Sequence, residues 1–363
     1  MEPNPAMMAA MSKMLPPMTR AISMLIPGRD SRIAGQNAQN NADIIQLVAH
    51  VSAVLPPPGE QKPLPELVER CYALGTFKAL WAIEGLGHWY ADSAYARKEP
   101  WRDLLNGPHA AGLPPKCLTM MHAGIGMSFA KHTLHSLKAT SPRADIRKAV
   151  ETIAELCRSN SAPGYTLAAI ESLGLASRFL HGAAMVQAID RELLVIDAAL
   201  TGFLWHGAGR AMYFSPPNFM PGWKTPWRAL AMTRSEPPHE MGQRSAAAGF
   251  AWAITLVNMR NPEIVETLLA YHGEELARDD AFANGVMSAL IMRYDISPDD
   301  ATLTAYRQHR PPASKGKIVE LWDRLVHQPG EEALQKMYPV LKQSNRIDRV
   351  FRYQDLPAIT GQS

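Results

Sequence analysis

The stretch that decides how this chain is read is Phe203-Leu-Trp-His-Gly-Ala-Gly-Arg-Ala-Met-Tyr-Phe214. His206, Gly209, Arg210 and Tyr213 fall at i, i+3, i+4 and i+7, the spacing of one helical face. That face sets an imidazole and a guanidinium beside a glycine in an otherwise apolar run. Glycine inside a helix costs about 1 kcal/mol against alanine. A helix that carries such pairs needs compensation, and close approach of a second helix supplies it. The stretch Phe77 to Tyr90 has the same character, with Glu84, Gly87, His88 and Ala91 on one face, and His122 and Gly126 share another.

Around these stretches the chain shows helical periodicity and very little strand-type alternation, so the predicted fold class is all-α. Helices are expected from Asn41 or Asp43 to Leu55, from Pro63 to Tyr90 with a break near Gly75, and over 116–137, 141–160, 165–189 and 190–213. Further helices are expected over 242–259, 262–271, 279–294, 298–309, 315–327 and 331–338. Residues 1–40, rich in Met and Pro and then polar without period, read as a flexible N-terminal arm. The proline-punctuated stretch 215–226 reads as a loop.

Two longer stretches match each other in order and spacing. Glu84-Gly-Leu-Gly-His-Trp-Tyr is followed by Pro100-Trp-Arg, Pro114-Pro115 and a helix holding Gly126. His206-Gly-Ala-Gly-Arg-Ala-Met-Tyr is followed by Pro226-Trp-Arg, Pro237-Pro238 and a helix holding Gly249. The expectation is an internal duplication: two pseudo-symmetric helical halves, 41–150 and 151–275, packed through Gly-rich faces. The C-terminal helices of 276–363 then lie on the same core.

Composition narrows the function classes. Of 363 residues, 47% are apolar and 20% charged, enough for a substantial core. Lys plus Arg is 37, Asp plus Glu is 34, and the net charge of +3 predicts neither a nucleic-acid footprint nor an acidic tail. Cys71, Cys117 and Cys157 lie far apart with no CxxC, against a disulfide framework, a zinc ribbon or covalently attached haem. A reducing, cytoplasmic setting follows. No signal-peptide core is read, and the longest apolar run, Ala246 to Val257, falls short of the roughly 20 residues of a membrane span.

The ionisable residues on the small-residue faces are the candidate site. Glu84, His122, His206 and Arg210 are the candidate catalytic residues: a carboxylate or imidazole to move protons, and a guanidinium to hold a carboxylate, an enolate or a carbonyl oxygen. His88, Trp81, Tyr90, Trp205, Tyr213, Phe214 and Trp252 are the candidate substrate-binding residues. The competing reading is a buried ionic network that only fixes how the halves dock. No cofactor is called for; haem, or a metal held by Glu84 and His88 with His122 or His206, is the alternative, without any dedicated ligand signature. No nucleotide-binding glycine motif is present. Asp279-Asp280 and Asp299-Asp300 read as helix N-terminal charge. Trp101 and Trp227 read as loop anchors, and His132 and His135 as a solvated face. The expected partner is a small hydrophobic substrate, with no nucleic acid, no transmembrane segment, and a homodimer as an open alternative.

The order Glu84-Gly-Leu-Gly, His122-Ala-Gly-Ile-Gly with Phe129-Ala, Gly202-Phe203, then His206-Gly-Ala-Gly-Arg210-Ala-Met-Tyr-Phe214 and a Gly249-centred helix resembles a known family. It is the uncharacterised-domain family that accompanies enediyne polyketide biosynthesis cassettes. The resemblance covers roughly residues 60–275. The family's Ser after the Arg and Trp before the Phe are Ala211 and Tyr213 here, and its Asp-Gly segment is replaced by Asp197-Ala-Ala-Leu-Thr-Gly, as in a distant member. The resemblance implies a place in bacterial secondary metabolism, near polyene or isoprenoid-like lipophilic intermediates. Three functions are carried forward: an enzyme performing acid/base isomerisation or cyclisation on such a substrate, a haem or non-haem-metal redox protein, and a non-catalytic binder of a lipophilic intermediate.

Overall fold

The computed structural model describes residues 29–49, 51, 54–56, 60, 62–215 and 225–355. Among the described residues the protein is all-α, with fourteen helices and no strand. They are α1 (Arg29–Ala49), α2 (Leu64–Ala73), α3 (Thr76–Ala96), α4 (Leu118–Leu134), α5 (Arg143–Asn160), α6 (Thr166–His181) and α7 (Ala183–Ile196). There follow α8 (Thr201–Tyr213), α9 (Thr225–Ser235), α10 (Glu240–Asn258), α11 (Glu263–Leu276), α12 (Ala281–Ile296) and α13 (Ala301–Gln308). The last, α14, starts at Lys317, ends at Gln343 and contains two π-turns, Asp323–His327 and Ala333–Met337. Pro329 and Pro339 each stand two residues after a π-turn. Proline lacks an N–H and crowds the carbonyl four residues back, and the wider turn accommodates both defects. The two helices expected over 315–327 and 331–338 are therefore one.

The break near Gly75 is present, with Gly75 at φ 96° between α2 and α3. The helix expected over 165–189 is instead divided at Gly182, whose φ of 84° only glycine adopts readily. The arm expected over 1–40 lies outside the described residues as far as 28. From Arg29 onward it is helix α1, with Asn37, Asn40 and Asn41 buried. The polar run had hidden a helical face: Ile33, Ala34, Ala38 and Ala42 are buried beside those asparagines.

The glycine notches do not form one seam between two halves. They recur at the crossings of a series of helices, α1, α3, α4, α6, α8, α10 and α12, each crossing the next. At every crossing the backbones come so close that an added methyl would overlap a carbonyl of the partner helix. Gly124 faces the Glu84 carbonyl while Gly87 faces that of Met121. Gly207 faces Glu171 while Gly174 faces Leu204, and Gly249 faces His206 while Gly209 faces Ala246. These three crossings share one register: residue i opposes j, and i+3 opposes j−3. The α4–α6 crossing keeps it, with Gly126 against the Ala169 carbonyl and Ser172 Oγ donating to the Ala123 carbonyl at 2.8 Å. Gly85 against Val48 and Gly285 against Ala248 place α1–α3 and α10–α12 in the same scheme.

The crossing helices therefore carry a short repeat: Glu84-Gly-Leu-Gly, Ala123-Gly-Ile-Gly, Glu171-Ser-Leu-Gly, His206-Gly-Ala-Gly, Ala248-Gly-Phe-Ala and Asn284-Gly-Val-Met. This is the pattern of a helical array, in which each unit packs on its neighbour. The stretches that matched at the sequence level contain instances of it, at Glu84 and Ala123 in the first and at His206 and Ala248 in the second. The series curls, so that its start meets later members across the interior. Trp81 of α3 is edge-on to Trp252 of α10 (6.2 Å between centroids), and Asn40 of α1 bonds Asn258 of α10 at 2.9 Å.

Candidate functional site

The first position of the repeat differs from helix to helix. In three of the six it is ionisable, Glu84, Glu171 or His206, and these three converge with Arg210. The Arg210 Nη2 donates to Glu84 Oε1 and Nη1 to Glu171 Oε2, each at 2.8 Å. His206 Nδ1 donates to Glu171 Oε1 at 2.8 Å. The guanidinium also lies over the Trp252 ring, 4.2 Å from its centroid, a cation–π contact. Glu84 (2% exposed), Glu171 (0%), His206 (0%) and Arg210 (1%) are removed from water, so each charge depends on its partners.

The electrostatics follow from two carboxylates sharing one guanidinium. Burial pushes the Glu84 carboxyl above the usual carboxylate range, and the nearby Arg210 only partly offsets this. Burial likewise pushes His206 down, although Glu171 opposes the shift. Burial works to lower Arg210 too, but Glu171 and Glu84 outweigh it and hold it above its ordinary value. Burial thus works against charge on Glu84 and His206, while the two carboxylates keep the guanidinium charged.

Above this network lies a cleft of about 310 Å³, lined by parts of α1, α3, α4, α6 and α8. Its apolar walls include Ile44, Val48, Trp81, Leu175 and Phe214, and its polar groups are Glu84, Arg210, His88 and Lys131. Phe179 (46% exposed) and Leu180 (53%) belong to the same lining and mark the side open to water. His88, one helical turn beyond Glu84, stands with its Nε2 3.7 Å from Asp92 Oδ2. Asp92 also accepts from Ser128 at 2.6 Å, Lys131 at 2.7 Å and His132 at 2.9 Å. Against its own burial, His88, Lys131 and Ser128 hold the Asp92 carboxyl down to about 2. Burial pushes His88 below the ordinary imidazole value.

Of the residues singled out in the sequence, Glu84, Arg210, His88, Trp81 and Phe214 line the cleft, and His206 and Trp252 lie behind it. The others are elsewhere. His122 bonds the Leu118 carbonyl through Nδ1 (2.6 Å) and accepts from the Ala162 amide through Nε2 (3.0 Å), so it serves as a strut between α4 and the connection from α5 to α6. Trp205 Nε1 donates to Asp190 at 2.8 Å, on a different face of α8 from Arg210. Tyr213 bonds the asparagines of α1 and α10. Tyr90 lines a separate groove of about 770 Å³ with Trp89, Arg97, Arg102 and His109. His132 is engaged with Asp92 and stacked on Tyr95 rather than merely solvated. Trp101 anchors its loop, donating to the Ala91 carbonyl at 2.9 Å, whereas the Trp227 side chain and most of the loop 215–226 lie outside the described residues. Asp300 caps α13, accepting from the Thr302 and Leu303 amides.

Glu171 was missed. It sits in an apolar helix with no ionisable neighbour, yet it shares the Glu84 signature, an ionisable residue with glycine three positions on. Burial pushes the thiols of Cys71, Cys117 and Cys157 up to about 12, which gives none of them the character of a nucleophile. Among the described residues, no three His, Cys, Asp or Glu side chains are grouped to hold a metal ion, and no helix is long and apolar enough to cross a membrane. Compared with known proteins, the chain matches no family model, no curated protein and no solved structure. The geometry defines an all-α helical array whose interior ionic network ends at the floor of an apolar cleft.

Proposed function

We propose that the cleft binds a small hydrophobic molecule and that Glu84 and His88 move a proton on it, an acid/base isomerisation or cyclisation. The observation that carries this reading is the meeting of an otherwise apolar cleft with Glu84 and His88, one turn apart on α3, whose surroundings push their proton affinities in opposite directions. Glu84 supplies the acid. His88, beside Asp92, supplies the base. The substrate gains one proton and loses one, so no other reactant is consumed. Arg210 and Glu171 position Glu84. A polyene- or isoprenoid-like intermediate of bacterial secondary metabolism is the class of substrate that fits this proposal.

The test is extraction of the purified protein with organic solvent and mass spectrometry of what is released, followed by turnover of that compound. Glu84→Gln and His88→Gln should each lower turnover by about 100-fold or more, the usual worth of a positioned acid or base. Turnover at the wild-type rate in a folded Glu84→Gln protein would overturn the assignment. Release of a compound that the wild type binds but does not turn over would favour the second reading, a non-catalytic binder of a lipophilic molecule. One observation supports that alternative: both Nη groups of Arg210 and Nδ1 of His206 are consumed in joining α3, α6 and α8.

A further inference from the structure

The cleft has four polar side chains, and their existing bonds restrict what each offers a ligand. Arg210 has committed both Nη groups to carboxylates, its flat face lies on Trp252, and its Nε, which has no hydrogen-bond partner, is buried out of a ligand's reach. A ligand carboxylate would have to displace Glu84 or Glu171, leaving a buried carboxylate unpaired at a cost of several kcal/mol. Lys131 is already paired with Asp92. His88 leans on the same carboxylate. An anion entering the cleft thus finds each cation already carrying a carboxylate, and nothing offsets the loss of its own hydration. Glu84 differs from the rest. One of its oxygens accepts from Arg210, while burial and, to a smaller degree, like-charge repulsion from Glu171 across the shared guanidinium favour a proton on the other.

From this geometry we infer that the cleft selects neutral lipophiles bearing one carbonyl oxygen (ketones, aldehydes or esters) and discriminates against fatty carboxylates. The inference rests on the cleft being the binding site. The ligand oxygen accepts the Glu84 proton, the apolar body lies along Trp81, Leu175 and Phe214, and Arg210 acts through Glu84 without touching the ligand. This reverses the part that the sequence assigned to the guanidinium.

The experiment uses the full chain and displacement of the neutral fluorescent probe Nile red by three compounds of one chain length: methyl nonyl ketone, undecanoate and undecane. The expected ranking places the ketone about tenfold ahead of both others, the worth of one hydrogen bond in an apolar site. Glu84→Gln, which keeps an N–H donor, should retain the preference, and Glu84→Met should lose it. If the methionine variant does not fold, the wild-type ranking decides alone. Undecanoate binding best, or all three binding alike, overturns the inference and leaves the cleft as the binding site. If Nile red binds equally to wild type and to Leu175→Trp, in which the cleft is filled, the cleft is not the site and both proposals fail.

Discussion

Arg210 and Glu84, 126 positions apart in the chain, meet at 2.8 Å between Nη2 and Oε1, and the same guanidinium holds Glu171 at 2.8 Å. One cation thereby ties three helices of the array together where the cleft ends. Removing it strands two buried carboxylates. Arg210→Met should lower the unfolding free energy by about 3–5 kcal/mol, measured by urea denaturation. Adding Glu171→Gln should recover part of the loss, so that a double-mutant cycle shows strong coupling. Additive effects would mean that the pair does not interact as described.

The shared crossing register makes the notches intolerant of even one methyl group. Gly207→Ala would drive a Cβ into the Glu171 carbonyl and Gly249→Ala one into the His206 carbonyl. Each should cost about 1–3 kcal/mol or more, despite alanine's better helix propensity. A thermal-melt comparison checks this, and an unchanged or raised Tm in either variant contradicts the backbone contact.

His122 predicts part of the acid sensitivity. Its Nε2 accepts from the Ala162 amide, so protonation breaks that bond. Burial pushes its pKa from the ordinary 6.5 down to about 4. The unfolded chain therefore binds this proton first as pH falls. The contribution to stability is complete above 6.5 and disappears progressively as the pH drops toward 4. His122→Leu should be less stable near neutrality. Its loss of stability between about pH 7 and about pH 5 should be smaller than that of the wild type by about 2 kcal/mol. Equal slopes in the two proteins would rule out His122 as the titrating group.

The attachment of α1 depends on an asparagine cluster. Asn258 Nδ2 donates to Asn37 Oδ1 at 3.0 Å and to Tyr213 Oη at 2.6 Å, and Asn40 Nδ2 donates to Asn258 Oδ1 at 2.9 Å. Asn258→Ala should cost about 1–3 kcal/mol, because the partners it leaves are buried. Amide exchange should quicken in α1 before it does in α8. Since Ile44 and Val48 form a wall of the cleft, Nile red affinity should fall too. Unchanged exchange in α1 would show that other contacts hold it.

Much of the architecture was legible in advance. The helical class, the break at Gly75 and the facing of Glu84, His206 and Arg210 toward close-packed interior contacts all follow from local periodicity and the cost of helical glycine. Trp81, Phe214 and His88 did line the cleft. The misplaced residues share a cause. Trp205, Tyr90 and Tyr213 lie in the same apolar stretches as the site, but their helices bury more than one face, and a helix buried on several faces gives no signal of which one meets a cavity. Glu171 was visible only through its spacing to Gly174, a pattern that gains meaning once the Glu84–Gly87 and His206–Gly209 crossings are seen to match it.

The sequence by itself determined that this chain folds as helices and that glycine would bring them together beside ionisable side chains, because helix formation and close approach are properties of a few neighbouring residues. Only the tertiary structure decided that the notches belong to a curled series, that Glu171 completes the network, and that both Nη groups of Arg210 are engaged by carboxylates before any ligand arrives. Those outcomes depend on the path of the whole chain, which carries α3 within hydrogen-bonding reach of α8 and no local pattern records.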